Sequence, residues 1–368
     1  MNAIPLNDLS RVTTSEVEQL TQIFKEICSS GTYLKGPASI DFESSLSDLF
    51  WGRKVVLVAN GTDALTLAMA SLELPIGSSV AVAPNAGGYS TTAAFRLDLK
   101  VSLVDVEESN GQMSPASLSV LLDSDPNVRA VVVTHLYGLT GNIQKIAEIC
   151  DSRSVSLIED CAQSIGAKVN KQPAGTFGDL ATLSFYPTKN LGGLGDGGGV
   201  VCKNFDQAQK VQELAQYGWS SRYVVSRTQA FNSRIDDIQA AILHYRLNEL
   251  ENANARRREI VMRYSDSVSQ PRRFLWANDE SFVGHLAILI SPDRLEDKAI
   301  LESRGVQTGI HYPLLDNQQP AWQNHKNLSF GDLTSALNLN TKILTLPCFP
   351  TMTDFEIDYV CDSLRLLK

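Results

Sequence analysis

The sequence predicts an α/β protein: a large domain on a mostly parallel mixed sheet, followed by a smaller C-terminal α+β domain. Three observations carry that expectation. Short apolar runs alternate with helical stretches from residue 55 to residue 216. Most of the runs are near-continuously apolar, as strands buried on both faces are. Near Ile235 the alternation gives way to a long helical pattern.

Taken in order, residues 14–28 space Val17, Leu20, Ile23, Phe24 and Ile27 at helical intervals, which predicts an amphipathic helix. Strands are expected at 55–59, 80–83, 101–104, 130–134, 155–158, 181–185 and 199–202. Helices at 64–72, 114–122, 143–150 and 207–216 come between several of them. Residues 236–264 contain neither Gly nor Pro and read as one helix. A strand at 285–290, a helix near 295–303 and a last helix at 354–367 follow. There is no internal repeat and no Pro-, Ser- or Gly-rich linker. The division expected is 1–245 for the large domain with its N-terminal arm, and 246–368 for the small one.

The 368 residues are 43% hydrophobic and 20% charged, a composition that excludes collagen, low complexity and disorder. No apolar run approaches the ~18 residues of a membrane span. The first residues lack the basic and apolar regions of a signal peptide. A net charge of −9 argues against a nucleic-acid partner. It leaves room for a small anion held by backbone amides and one or two cations. Six scattered cysteines without a C-x-x-C pair suggest reduced, buried thiols, a cytoplasmic setting and no metal site.

Three segments carry chemistry. Asn60-Gly61-Thr62-Asp63-Ala64 joins a strand to a helix, and the free amides of a first helical turn attract anions; a plain helix cap is the simpler reading. Residues 155–163 bring Glu159 and Asp160 to the carboxyl end of a strand, where open α/β sheets bind ligands. The two point to opposite sides, so at most one faces a given ligand. Residues 182–190 bring Lys189 just beyond another strand, before a glycine-rich bend. A lysine in a partly apolar site has a lowered pKa and becomes a nucleophile toward carbonyls; a surface lysine is the ordinary alternative. Gly193, Gly195 and Gly198 satisfy G-x-G-x-x-G, but a strand-like GGVVCK follows where a dinucleotide fingerprint needs a helix. The nicotinamide reading is therefore rejected. An anion cup, a strand-end carboxylate and a strand-end lysine together are what pyridoxal 5′-phosphate needs.

The same residues belong to longer motifs: IPLNDL (4–9), SGTYLKGP (30–37), NGTDAL (60–65), HLYG (135–138), IEDCAQSIGA (158–167), SFYPTKNLGGLGDGG (184–198), NSRIDDIQAAIL (232–243), GIHYP (309–313) and LTLPCFP (344–350). With these the chain resembles the sugar aminotransferases of the DegT/DnrJ/EryC1/StrS type, which have the aspartate-aminotransferase architecture, fold type I. The resemblance implies roles. Lys189 would bond the cofactor aldehyde and move the proton. Asp160 would pair with the ring nitrogen, and Gln163 would contact the ring hydroxyl. Gly61, Thr62, Asp63 and Ser184 would form the phosphate cup. Asn232 would reach the phosphate of a neighbouring subunit, implying a homodimer with shared sites. Tyr89 would cover the ring, in a segment (PNAGGYSTTAA) that departs from the family's P-x-x-T-F. His311 and Tyr312 would lie near the sugar, and Lys35, Arg222, Arg227 and Arg234 are candidates for its diphosphate. Asn317 stands where many relatives have His. Some relatives replace the lysine by histidine and dehydrate a sugar; Lys189 favours transamination. The expected reaction takes an amino group from L-glutamate to a nucleoside-diphosphate keto-sugar, with 3-amination of a dTDP-3-keto-6-deoxyhexose favoured. A 4-aminotransferase on a UDP- or dTDP-4-keto sugar, a dehydratase, and a non-catalytic sensor remain as alternatives.

Overall fold

The computed structural model describes residues 3–367. After α1 (Leu9–Ser30) and α2 (Pro37–Leu49) the chain alternates: β1 (Lys54–Val58), α3 (Gly61–Ser71), β2 (Ser79–Val82), α4 (Tyr89–Arg96), β3 (Lys100–Leu103), α5 (Pro115–Ser124), β4 (Val128–Thr134), α6 (Ile143–Ser152) and β5 (Ser156–Asp160). The hairpin β6 (Lys168–Val169) and β7 (Gln172–Pro173) leads to β8 (Leu180–Ser184), β9 (Gly198–Cys202) and α7 (Phe205–Leu214). A second hairpin, β10 (Trp219–Ser221) and β11 (Val224–Val225), precedes α8 (Asp237–Leu247) and α9 (Leu250–Ser265). Then come β12 (Arg273–Leu275), β13 (Ala287–Ile290), α10 (Arg294–Ser303), β14 (Leu328–Phe330), α11 (Thr334–Asn340), β15 (Ile343–Leu346) and α12 (Asp354–Leu364).

Eight strands form one sheet in the order β1-β9-β8-β5-β4-β2-β3-β14. Only β9 runs against its neighbours. Alternating strands and helices with buried, β-branched runs produce this topology, because each helix covers a sheet face on its way back to the next parallel strand. Val80, Ala130, Val132, Ile158, Leu180 and Val200 pack on the helix-covered face with α3, whose residues Ala64–Ser71 are all buried. The β12-β13-β15 sheet is antiparallel, and its core joins Leu289, Leu344 and Leu346 to Ile260, Val261 and Tyr264 of α9.

Two expectations change here. The helix read at 236–264 is two helices, α8 and α9, broken between Leu247 and Leu250. Leu243 and Leu250 pack in the core of the large sheet, whereas Ile260 and Tyr264 serve the small one. Burial in two cores bends the path at a point without Gly or Pro. The second half of the chain also returns to the large sheet: β14 pairs in parallel with β3 and forms its edge.

All six cysteines are unpaired, and five are buried; Cys28, expected to be buried with the others, is exposed on α1. Burial pushes the Cys150 and Cys202 thiols up to about 12, so they are inert at neutral pH. No helix among the described residues is long and apolar enough to cross a membrane.

Candidate active site

Parallel strands end on one side of a sheet, and here those ends surround a cleft of about 600 Å³. Asn60, Gly61 and Thr62 follow β1; Ala86 and Tyr89 follow β2; Thr134 ends β4, Asp160 ends β5, and Ser184 ends β8. Lys189, His285, His311 and Tyr312 close the other side, and Leu6 and Asn7 of the N-terminal arm reach the rim. The arm is held by a bond from the Ile4 N–H to the Gly305 carbonyl, 2.8 Å.

The anion cup begins with Asn60, the N-cap of α3, whose side chain accepts from the Asp63 N–H at 2.8 Å. That uses up the Asp63 amide. The free donors of the turn are the amides of Gly61 and Thr62, which have no acceptor among the described residues. The Asp63 carboxylate is occupied by Arg96 (3.0 Å) and the Ser233 hydroxyl (2.8 Å). A Cβ at Gly61 would lie 2.7 Å from Ser184 Cβ, so only glycine lets α3 approach the end of β8 this closely. That approach brings the Ser184 hydroxyl beside the free amides.

Strand alternation separates the two carboxylates. Glu159 turns away from the cleft and accepts from the Gly175, Phe177 and Gly178 amides (2.8, 2.7 and 2.8 Å), with His135 Nε2 at 3.0 Å. It locks a turn. Asp160 faces the cleft, buried, with the Thr134 hydroxyl and the Ala162 N–H donating to it, each at 3.1 Å. Burial raises its pKa, partly opposed by those donors and by the charge of Lys189.

Gln163 is oriented by the HLYG segment. Tyr137 adopts a left-handed backbone, φ 65°, and donates its N–H to Gln163 Oε1 at 2.7 Å. Gln163 therefore turns Nε2 into the cleft, 3.4 Å from the Tyr312 hydroxyl. Tyr312 meets Tyr89 edge-on, ring centres 6.0 Å apart. His311 Nδ1 lies 2.9 Å from the Thr345 hydroxyl, and burial lowers its pKa.

Lys189 is partly exposed to the cleft and makes no side-chain hydrogen bond or ion pair among the described residues. Loss of water around it brings its pKa down to about 8, against the pull of Asp160. The glycine run that follows enters β9 rather than a helix.

These residues fit pyridoxal 5′-phosphate. A buried carboxylate held by only two neutral donors suits a cationic ring nitrogen. An unpartnered lysine suits an aldehyde, and two free amides beside a hydroxyl suit a phosphate. Other expected residues lie elsewhere. Asn232 is exposed, outside its own cleft. Arg227 is paired with Glu73 and Glu213, Arg222 lies over the Tyr223 ring, and Lys35 bonds Gln216. Arg234 is not in the cleft either. His285, Thr134 and Thr188 line the cleft without having been singled out. His285 and Thr134 stand at ends of runs read as strands, which is the signal that could have found them.

A family model described as the DegT/DnrJ/EryC1/StrS aminotransferase family matches residues 14–365. The erythromycin biosynthesis sensory transduction protein EryC1 of Saccharopolyspora erythraea is 30% identical over 98% of this chain and 99% of its own. The dTDP-3-amino-3,6-dideoxy-alpha-D-galactopyranose transaminase of Aneurinibacillus thermoaerophilus is 31% identical, again over 98% and 99%. The crystal structure of NtdA from Bacillus subtilis with bound cofactor PMP superposes with a TM-score of 0.91 at 26% identity, covering 99% of this chain and 85% of that one.

Proposed function

Because the chain belongs to the DegT/DnrJ/EryC1/StrS aminotransferase family, whose cofactor is pyridoxal 5′-phosphate, we propose that it transfers the amino group of L-glutamate to C3 of a dTDP-linked 3-keto-6-deoxyhexose. The carrying observation is the pair in one cleft: the Lys189 side chain without a hydrogen-bond partner among the described residues, and buried Asp160 held by two neutral donors. The choice of C3 is supported by the name of the Aneurinibacillus relative, which puts the amino group on that carbon.

When bound, the cofactor supplies an electron sink that makes the hydrogen next to the reacting nitrogen acidic. The Gly61 and Thr62 amides and the Ser184 hydroxyl would hold its phosphate. Asp160 would keep its ring nitrogen protonated, Gln163 Nε2 would donate to its ring oxygen, and Tyr89 would cover its ring. Lys189 would bond its aldehyde carbon and, once released, take and return a proton at Nζ. A pKa near 8 suits that work, since both amine and ammonium are populated around neutral pH. His311 and Tyr312, on the opposite wall, would contact the sugar.

The site is read as shared within a homodimer. Asn232 is exposed and outside its own cleft, as a residue serving a partner's phosphate would be. The hairpin residues Tyr223, Val224 and Val225 are also exposed, as are Val17 and Phe24 on α1, apolar surface that a second copy could cover.

The test is spectroscopic and then chemical. The loaded enzyme should lose its visible absorbance on adding glutamate. Offered a panel of dTDP- and UDP-keto sugars, it should then aminate C3 of the dTDP-3-keto sugar, read by NMR of the product. Amination at C4 would overturn the position. Ketone release without use of glutamate would overturn the transaminase reading.

A further inference from the structure

The HLYG segment does more than orient Gln163. Tyr137 is 1% exposed and does not line the cleft, yet each of its polar groups ends on a residue that does. Its N–H donates to Gln163 Oε1 at 2.7 Å. Its carbonyl accepts from the Leu286 N–H at 3.3 Å. Its hydroxyl donates to the His311 carbonyl at 2.9 Å. Burial pushes the phenol well above its ordinary pKa, so it remains a donor throughout the neutral range.

The turn is pinned from behind. Buried Gln112 accepts from the Leu136 N–H at 3.2 Å and donates to the Leu136 carbonyl at 3.1 Å. The Tyr137 ring packs with Leu275 of β12, Ile288 and Ile290 of β13 and Ile343 of β15. Its main chain thus follows the end of β4 in the large sheet, while its ring is embedded in the small one. The next carbonyl along the wall, that of Tyr312, accepts from Asn340 Nδ2 at 2.7 Å, and Asn340 does not line the cleft either. Two consecutive residues of the wall therefore hang by their main chain from side chains outside the cavity.

We propose that Tyr137 is a positioning residue for the keto sugar: it fixes how far the His311–Tyr312 wall stands from Gln163, and Asn340 is the second peg of that wall. The proposal rests on His311 and Tyr312 being sugar contacts. A substrate displaced by about 1 Å from its productive place loses on the order of 10²-fold in rate, and a loosened wall permits that displacement. The cofactor's hold is separate, because Gln163 is oriented by the Tyr137 backbone rather than by its hydroxyl.

The test compares wild type with Tyr137→Phe and Asn340→Ala, each of which removes one peg, and with His311→Ala. The first readout is amide hydrogen exchange in cofactor-free protein. Exchange in residues 307–313 should quicken about tenfold in Tyr137→Phe and in Asn340→Ala, while residues 158–167 stay as in wild type. The second readout follows the two half-reactions of the loaded enzyme separately by visible absorbance: its loss with glutamate, and its return with the dTDP- or UDP-keto sugar that wild type aminates. The sugar concentration giving half-maximal rate should rise about tenfold in either variant, with the glutamate half-reaction within about twofold of wild type. Equal losses in both half-reactions, unchanged exchange in 307–313, or a sugar half-reaction as good as wild type would overturn the proposal; should Tyr137→Phe not fold, Asn340→Ala decides it by the same outcomes. If His311→Ala also leaves the sugar half-reaction untouched, the reading of His311 and Tyr312 as sugar contacts falls, and the proposal falls with it.

Discussion

Lys189 and Asp160 have opposite charges, face the same cleft, and form no ion pair. Each loses water in the cleft, and the attraction between them offsets only part of that cost. Lys189→Ala should abolish covalent capture of the cofactor on borohydride reduction, read by intact mass. In the cofactor-free protein the sign of the stability change can be worked out. The Lys189 pKa falls from 10.5 to about 8 on folding, so the unfolded chain binds the extra proton between those values. The penalty is full below pH 8 and fades toward pH 10.5. Lys189→Met should therefore raise the Tm at pH 7 by several degrees, and the gain should shrink by pH 10. Asp160→Asn, which cannot keep a ring nitrogen protonated, should cost about 10²–10³-fold in turnover, measured at saturating cofactor. At this scale the sequence was legible wherever a side chain stands at a strand end, as Lys189 and Asp160 do. It was less so where the role depends on hydrogen bonds already spent. The Asp63 amide, for one, is claimed by Asn60.

Whole elements converge on the cleft because parallel strands end together, and their spacing is set by close backbone approaches. Gly61 lets α3 touch β8; a methyl there has 2.7 Å to Ser184 Cβ, too little for any carbon pair. Gly61→Ala should weaken cofactor binding at least tenfold, measured by fluorescence titration, while circular dichroism shows the fold retained. On the other wall, the 3₁₀ turn at Asp316–Gln318 ties the segment after His311 and Tyr312 to α4. The Thr91 hydroxyl donates to Asp316, and Trp322 fills the space over Gly88. Burial pushes Asp316 up to about 7 from 3.8. The folded protein then holds a proton that the unfolded chain has lost, so this carboxylate costs stability increasingly as pH rises from about 4 to about 7. Asp316→Asn should raise the Tm at pH 8 and leave it unchanged near pH 3.8; the Thr91 hydroxyl can donate to an amide or accept from it. The long strands and helices were readable from apolar runs. The hold of residues 313–330 on the large sheet was not: β14 is three residues long, too short for its apolar-polar-apolar order to stand out, and joins a strand more than two hundred residues earlier.

At the scale of the whole molecule the single chain leaves its site open and its apolar faces uncovered. The amphipathic helix read at 14–28 exists as α1, yet Val17 and Phe24 on its apolar side remain exposed, so the hydrophobic pattern that marks the helix points to a surface beyond one chain. Periodicity reports that a face will be covered, not which molecule covers it. The proposed homodimer meets that need and explains why Asn232 lies outside the cleft. It also has a consequence that a self-contained site does not. If Asn232 serves the partner's phosphate, Lys189→Ala and Asn232→Asp damage different chains of the same site. A mixed dimer then has one site lacking both residues and one site intact, with Lys189 from the Asn232→Asp chain and Asn232 from the Lys189→Ala chain. Unfolding and refolding an equal mixture of the two inactive variants should recover about a quarter of wild-type activity, because half of randomly paired dimers are mixed and each carries one good site. If both residues act within one chain, every site in the mixture keeps one defect, and the refolded sample stays inactive.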